Sequence, residues 1–134
     1  MATDKTRWKQ AALALTALLL AANALYMLAD PLSWYGAVEG VPDTGPFNPH
    51  FVRDIGVAYL TCALCAAASA LWLRQATTLM SVVTLFLGLH VGLHIWDMVA
   101  GRLPLDHLII DAPGVLGPTL VTAALAWWTR AERA

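Results

Sequence analysis

The chain has 134 residues, 59% of them hydrophobic and only 13% charged, with a net charge of −1 and a mean hydropathy of +0.63. Soluble domains carry about 45–50% apolar and about 25% charged residues, so this balance excludes an ordinary water-soluble fold, and equally the charge-rich composition of a disordered chain. Eight Lys+Arg against nine Asp+Glu leave no basic surface for nucleic acid, and Cys62 and Cys65 alone cannot staple a secreted scaffold.

A bilayer core of about 30 Å needs about 20 apolar residues per helix. Four stretches qualify in chain order: Ala11–Ala29, Pro49–Leu73, Thr77–Ala100 and Leu108–Trp128. Long apolar runs favour helices over a barrel, whose strands would alternate. The expected fold is all-α: a single integral membrane domain over residues 1–134, folded as a four-helix transmembrane bundle. The first span, preceded by Lys5, Arg7 and Lys9, also resembles a secretory signal, with Ala22-Asn23-Ala24 as its small-residue cleavage site. The apolar run continues through Leu25–Ala29, which favours a retained span.

One sizeable loop follows, Asp30–Asn48. Three prolines, three glycines, Trp34, Tyr35 and Phe47 make it stiff and aromatic, suited to cap a site. Asn48-Pro49 reads as an N-cap followed by proline at the first helical position, which starts the second span with His50, Arg53 and Asp54 in its first turns. Cys62 and Cys65 fall near the midplane, where cysteine serves mainly as a small apolar packing residue; thiol redox chemistry is the alternative. In the fourth span Pro113 and Pro118 donate no backbone hydrogen bond. That helix is either kinked there or begins at Asp111 after an interfacial turn.

Lys5, Arg7, Lys9, Arg74, Arg130 and Arg133 fall on one side of this topology, and only Arg53 and Arg102 on the other. The positive-inside rule places both termini in the cytoplasm, and the loop outside. The expected setting is the inner membrane of a bacterium.

All four histidines, His50, His90, His94 and His107, fall in the outer half, together with Asp54, Asp97, Asp106 and Asp111. Ionisable residues in a span are costly and face a bundle interior or a water-filled cavity. His90, His94 and Asp97 share one helical stripe, with Val83 and Leu87 continuing it inward and Gly88 and Gly92 on the opposite side. Weaker polar stripes run along the first span (Thr16, Asn23, Tyr26, Asp30) and the second (Asp54, Ala58, Thr61, Cys65).

Carboxylates outnumber arginines on that side, so a compensating cation is expected. The leading reading is a transition-metal site, zinc, iron, copper or manganese, drawn from His90, His94, Asp97, His50, Asp54, His107 and Asp111. No complete metal signature such as HExxH is present. Haem fits less well: His90 and His94 face the same way and cannot be opposite axial ligands. The rival reading is acid–base chemistry on a lipid-like molecule, with His–Asp pairs handling the proton. An accessory subunit of a membrane oxidoreductase, with a membrane-protein partner or a second copy, is a further alternative. The bland reading has His94 and Asp97 lying at the interface and His90 bonded to a neighbour.

The segment Asn48-Pro49-His50-Phe51-Val52-Arg53-Asp54-Ile55-Gly56, within four short spans and a cytoplasmic start, resembles the small DoxX-like bacterial membrane proteins. The likeness covers the layout of the whole chain and implies a four-helix membrane fold and a place beside quinol-linked oxidoreductases. The histidine-rich third span lies outside it, so the resemblance implies no functional residue.

Overall fold

The computed structural model of the protein describes residues 4–130, and among these every regular element is helical. In chain order they are α1 (Asp4–Ala29), α2 (Pro31–Ala37), a 3-10 turn (Val41–Thr44), α3 (Pro49–Leu71), α4 (Leu73–Val99), α5 (His107–Ile110), a π-helical segment (Ala112–Leu116) and α6 (Gly117–Trp128). At about 1.5 Å per residue, α1, α3 and α4 exceed the ~30 Å of a hydrocarbon core. These three are long and apolar enough to cross a membrane.

The fourth stretch, Leu108–Trp128, is interrupted at its prolines, with the break at Ala112–Leu116 between α5 and α6. Its last helix, α6, has 12 residues and covers only ~18 Å. Pro113 has no N–H for the Ile109 carbonyl and Pro118 none for Gly114. The chain responds with a wide turn in which the Asp111 carbonyl accepts from both Val115 N–H (2.7 Å) and Leu116 N–H (3.4 Å).

Packing explains the order of the long helices. Leu13, Ala17, Leu20, Ala24 and Met27 are buried along α1, and Val52, Gly56, Tyr59, Ala63 and Ala66 along α3. Both sets alternate spacings of four and three, the seam of paired helices. Small residues bring the backbones close: a Cβ at Gly56 would stand 3.0 Å from Met27 Cβ and 3.4 Å from the Ala24 carbonyl. Gln10 Nε2 donates to the Ala70 carbonyl at 3.0 Å and so pins the far end of the antiparallel pair. Helix α3 also packs on α4, α4 on α6, and α1 touches α6. Thr77 and Thr129 join α4 to the end of α6 through a buried hydroxyl–hydroxyl bond of 3.2 Å.

Beyond these seams the long helices turn leucines outward, among them Leu18, Leu19, Leu64, Leu85 and Leu89. An apolar surface of that extent suits lipid. Gly88 and Gly92 of α4 make no comparably close approach. A Cβ at Gly88 would meet only Thr119 Cγ2, at 4.0 Å, and one at Gly92 nothing within 4 Å. The intimate helix contact lies at Gly56 instead.

The loop between α1 and α3 is built, not loose. Asp30 caps α2 by accepting from Ser33 N–H, and Trp34 Nε1 donates to Asn23 Oδ1 at 2.9 Å, tying α2 back onto α1. The Tyr35 hydroxyl donates to the Gly45 carbonyl at 2.6 Å, with its ring against Phe47. Asn48 caps α3 by accepting from His50 and Phe51 N–H, as its sequence position predicts.

Candidate functional site

The wide turn sets the Asp111 side chain against α4. His94 Nδ1 stands 2.7 Å from Asp111 Oδ2, with both side chains largely buried, 16% and 13% exposed. A carboxylate only accepts, so with Asp111 ionised the proton sits on His94 Nδ1. The same Oδ2 lies 3.4 Å from His107 Nδ1, but the angle does not make a hydrogen bond, and that buried nitrogen has no hydrogen-bond partner. His107 is 1% exposed, and its other nitrogen, Nε2, is 3.3 Å from Asp43 Oδ2 on the 3-10 turn. One carboxylate oxygen thus faces two imidazoles, and one of these reaches out to a second, exposed carboxylate.

The loop closes over this arrangement at Gly40. Its φ of +81° favours glycine, and a Cβ there would stand 2.9 Å from Ile110 Cγ2 and 3.0 Å from His107 Cε1. The expectation that the aromatic loop caps the polar cluster therefore holds, with Gly40 and Asp43 as its contacts.

On the other side of His94, the His90 ring stands edge-on at 4.7 Å between centroids. His90 stacks in turn on Phe86, with planes 7° apart at 6.4 Å, and Tyr59 of α3 meets both rings edge-on. Neither ring nitrogen of His90 forms a hydrogen bond among the described residues. Below this ladder a groove of about 310 Å³ opens between α3 and α4, with Ala58, Thr61, Cys62 and Cys65 on one wall and Val82, Val83 and Phe86 on the other. Both cysteines are free thiols.

The remaining candidates lie elsewhere. Asp97 is drawn away by Arg102 Nη1 at 2.9 Å, although it shares the stripe of His90 and His94. The short return after α4 brings that guanidinium to it. His50 and Asp54 pair with each other at 3.4 Å on the first turns of α3, 85% and 59% exposed. The polar stripe of α1 is likewise consumed locally: Thr16 donates to Ala12 O, Asn23 holds Trp34 and Asp30 caps α2.

Among the described residues no group of three or more His, Cys, Asp or Glu is arranged to hold a metal ion. Ligands at about 2.1 Å from a tetrahedral ion stand about 3.4 Å apart. The direct 2.7 Å contact of His94 with Asp111 closes that space. Arg102 pairs with Asp97, while Asp54 and Asp111 each have a histidine neighbour, His50 and His94.

Sequence reasoning missed Gly40, Asp43, Tyr59 and Phe86. Asp43 had one signal, a carboxylate in a proline-bounded turn of a loop suited to capping. Tyr59 and Phe86 had none beyond apolar periodicity. No family model, curated relative or solved structure matches the chain, so the functional reading rests on its own residues.

Proposed function

We propose that this is a small integral membrane protein of a bacterial inner membrane. In this reading α1, α3, α4 and the broken α5–α6 unit form a four-helix bundle, both termini face the cytoplasm, and the Asp30–Asn48 loop lies outside. Its His/Asp centre is an acid–base site that moves a proton to or from a lipid-like molecule. The observation that carries this reading is the buried Asp111 oxygen standing between His94 and His107. A small turn of the His107 ring that brings Nδ1 into line with Asp111 Oδ2, now 3.4 Å away, would let the two imidazoles exchange a proton through that carboxylate. Asp43, on the exposed turn, is the outer terminus of the line, and the His90 ring, in edge contact with His94 and not hydrogen-bonded to it, borders the inner end.

The test is nitrogen NMR of the imidazoles on the whole chain in lipid nanodiscs. The Nδ1 protons of His94 and His107 are expected to exchange with solvent in concert, at one shared rate. Asp111→Asn should separate the two rates. Unrelated rates in the parent protein would end the reading.

One observation favours a second reading, the transition metal. His107 Nδ1 is buried and has no hydrogen-bond partner, so a rotation of His94 away from Asp111 would open a place for an ion among His94, His107 and Asp111. Elemental analysis of protein purified without chelator decides between the two. About one equivalent of zinc, iron, copper or manganese, lost in His107→Ala, would replace the acid–base reading. Membership of a larger oxidoreductase assembly, which the DoxX-like layout implies, would show as co-purification of a stable complex.

A further inference from the structure

The groove between α3 and α4 ends at the ring ladder that leads to the acid–base centre, and its chemistry narrows what that centre acts on. Its volume of about 310 Å³ is at the lower end of the ~300–1,000 Å³ of small-molecule pockets and suits one apolar chain lying along it. The lining is apolar in practice: the Thr61 hydroxyl is spent on the Val57 carbonyl at 3.0 Å, which leaves its methyl and the small side chains of Ala58 and Cys65 to form the wall. Thr61 and Val82 are exposed on membrane-length helices, so the groove opens sideways into the hydrocarbon.

At the end of this wall Phe86 stacks on His90, whose ring nitrogens form no hydrogen bond among the described residues. An imidazole at membrane depth without a partner is costly, and a ligand hydroxyl or carbonyl would satisfy it. An anionic head would not suit the place. The Asp111 carboxylate lies one ring beyond, and the Arg102 guanidinium is engaged by Asp97.

We infer that the α3–α4 groove holds the apolar chain of a single-chain lipid whose neutral oxygen head, a hydroxyl or carbonyl, hydrogen-bonds His90. This inference deepens the acid–base reading and rests on it. Lateral entry from the bilayer delivers the ligand, the groove positions its chain, and His90 places the oxygen at the inner end of the His94–Asp111–His107 line.

The experiment uses the whole chain in phosphatidylcholine nanodiscs and a long-chain alcohol carrying a diazirine at mid-chain. Photolabelling should concentrate on the α3 and α4 peptides that bear Thr61, Cys65 and Phe86. The unlabelled alcohol should compete at least tenfold better than an alkane of the same length. Thr61→Trp, which fills the groove from an exposed position, should reduce labelling about tenfold, and Ala58→Val should give a smaller loss. His90→Phe keeps the ring stack and removes the nitrogens; its affinity for the alcohol should fall about five- to tenfold, the worth of one hydrogen bond. Val57→Trp, exposed on α3 outside the groove, should leave labelling unchanged. Label spread evenly over all lipid-facing helices, an alkane that competes as well as the alcohol, or a cross-link to a second copy would each overturn the inference. Proton exchange at His94 and His107 separates the two readings. Coupled histidines without localised label would overturn the lipid site and leave the relay; localised, His90-dependent label with uncoupled histidines would overturn the relay and leave a lipid-binding groove.

Discussion

Two His–Asp pairs of this protein stand in opposite surroundings. His50 and Asp54 are four residues apart on α3, 3.4 Å between charged atoms, and 85% and 59% exposed. His94 and Asp111 are seventeen residues apart, 2.7 Å between polar atoms, and 16% and 13% exposed. The first pair is one that helical spacing alone produces, and water weakens it. The second needs a break in the chain to bring its carboxylate round. Inside the structure the same contact strengthens, because the polar groups it satisfies have no water to fall back on. Spacing reveals which side chains touch; burial determines whether the touch matters.

Removing each carboxylate breaks the comparison most directly. Asp111→Ala strips His94 of its partner and leaves His107 with Asp43 alone. A loss of about 2–4 kcal/mol is expected, as for a buried polar pair missing one member, read from unfolding in mild detergent by graded denaturant. Asp54→Ala, the matching change in the exposed pair, should cost less than about 0.5 kcal/mol in the same assay. Equal losses would mean that the two pairs do not differ in the way their burial implies.

The lid comes next in size. Gly40→Ala forces a side chain into a left-handed backbone at φ +81° and against Ile110 and His107. Strain of about 1–2 kcal/mol should be relieved by lifting residues 40–44 off the site. Amide exchange should then quicken in that turn while α1 and α3 keep their protection. Uniform quickening would place the loop in the global fold and not in a separate cap.

The smallest effect is expected at Asp30, a fully local acid. The Ser33 hydroxyl and then the Ser33 N–H hold its carboxyl below the usual value of 3.8. Because the folded value is depressed, the cap of α2 is complete above that usual value and is lost as pH falls through the lower folded one. Exchange at Ser33 N–H should therefore quicken only at that acid end, and Asp30→Asn should flatten the profile.

Much of the fold was legible in the residues themselves. Of the four spans that hydrophobic run length and composition specify, three are helices of membrane length, because crossing ~30 Å of hydrocarbon demands them whatever surrounds them. Asn48-Pro49 specifies the start of α3, because a cap is satisfied within one turn. Pro113 and Pro118 announce the interruption of the last stretch, because a missing N–H is a property of the residue. The stripe from Val83 through Leu87 and His90 to His94 follows from helical periodicity. The partners do not. Asp97 shares that stripe yet goes to Arg102, and His94 takes Asp111 instead, because the wide turn at residues 112–116 reverses where the next carboxylate points. Asp43 reaches His107 across 64 residues only because Gly40 lets the loop lie on it. Local rules depend on neighbours a few residues away, and the sequence carries those in full. Which imidazole meets which carboxylate depends on where separate segments come to rest, and only tertiary packing decides that.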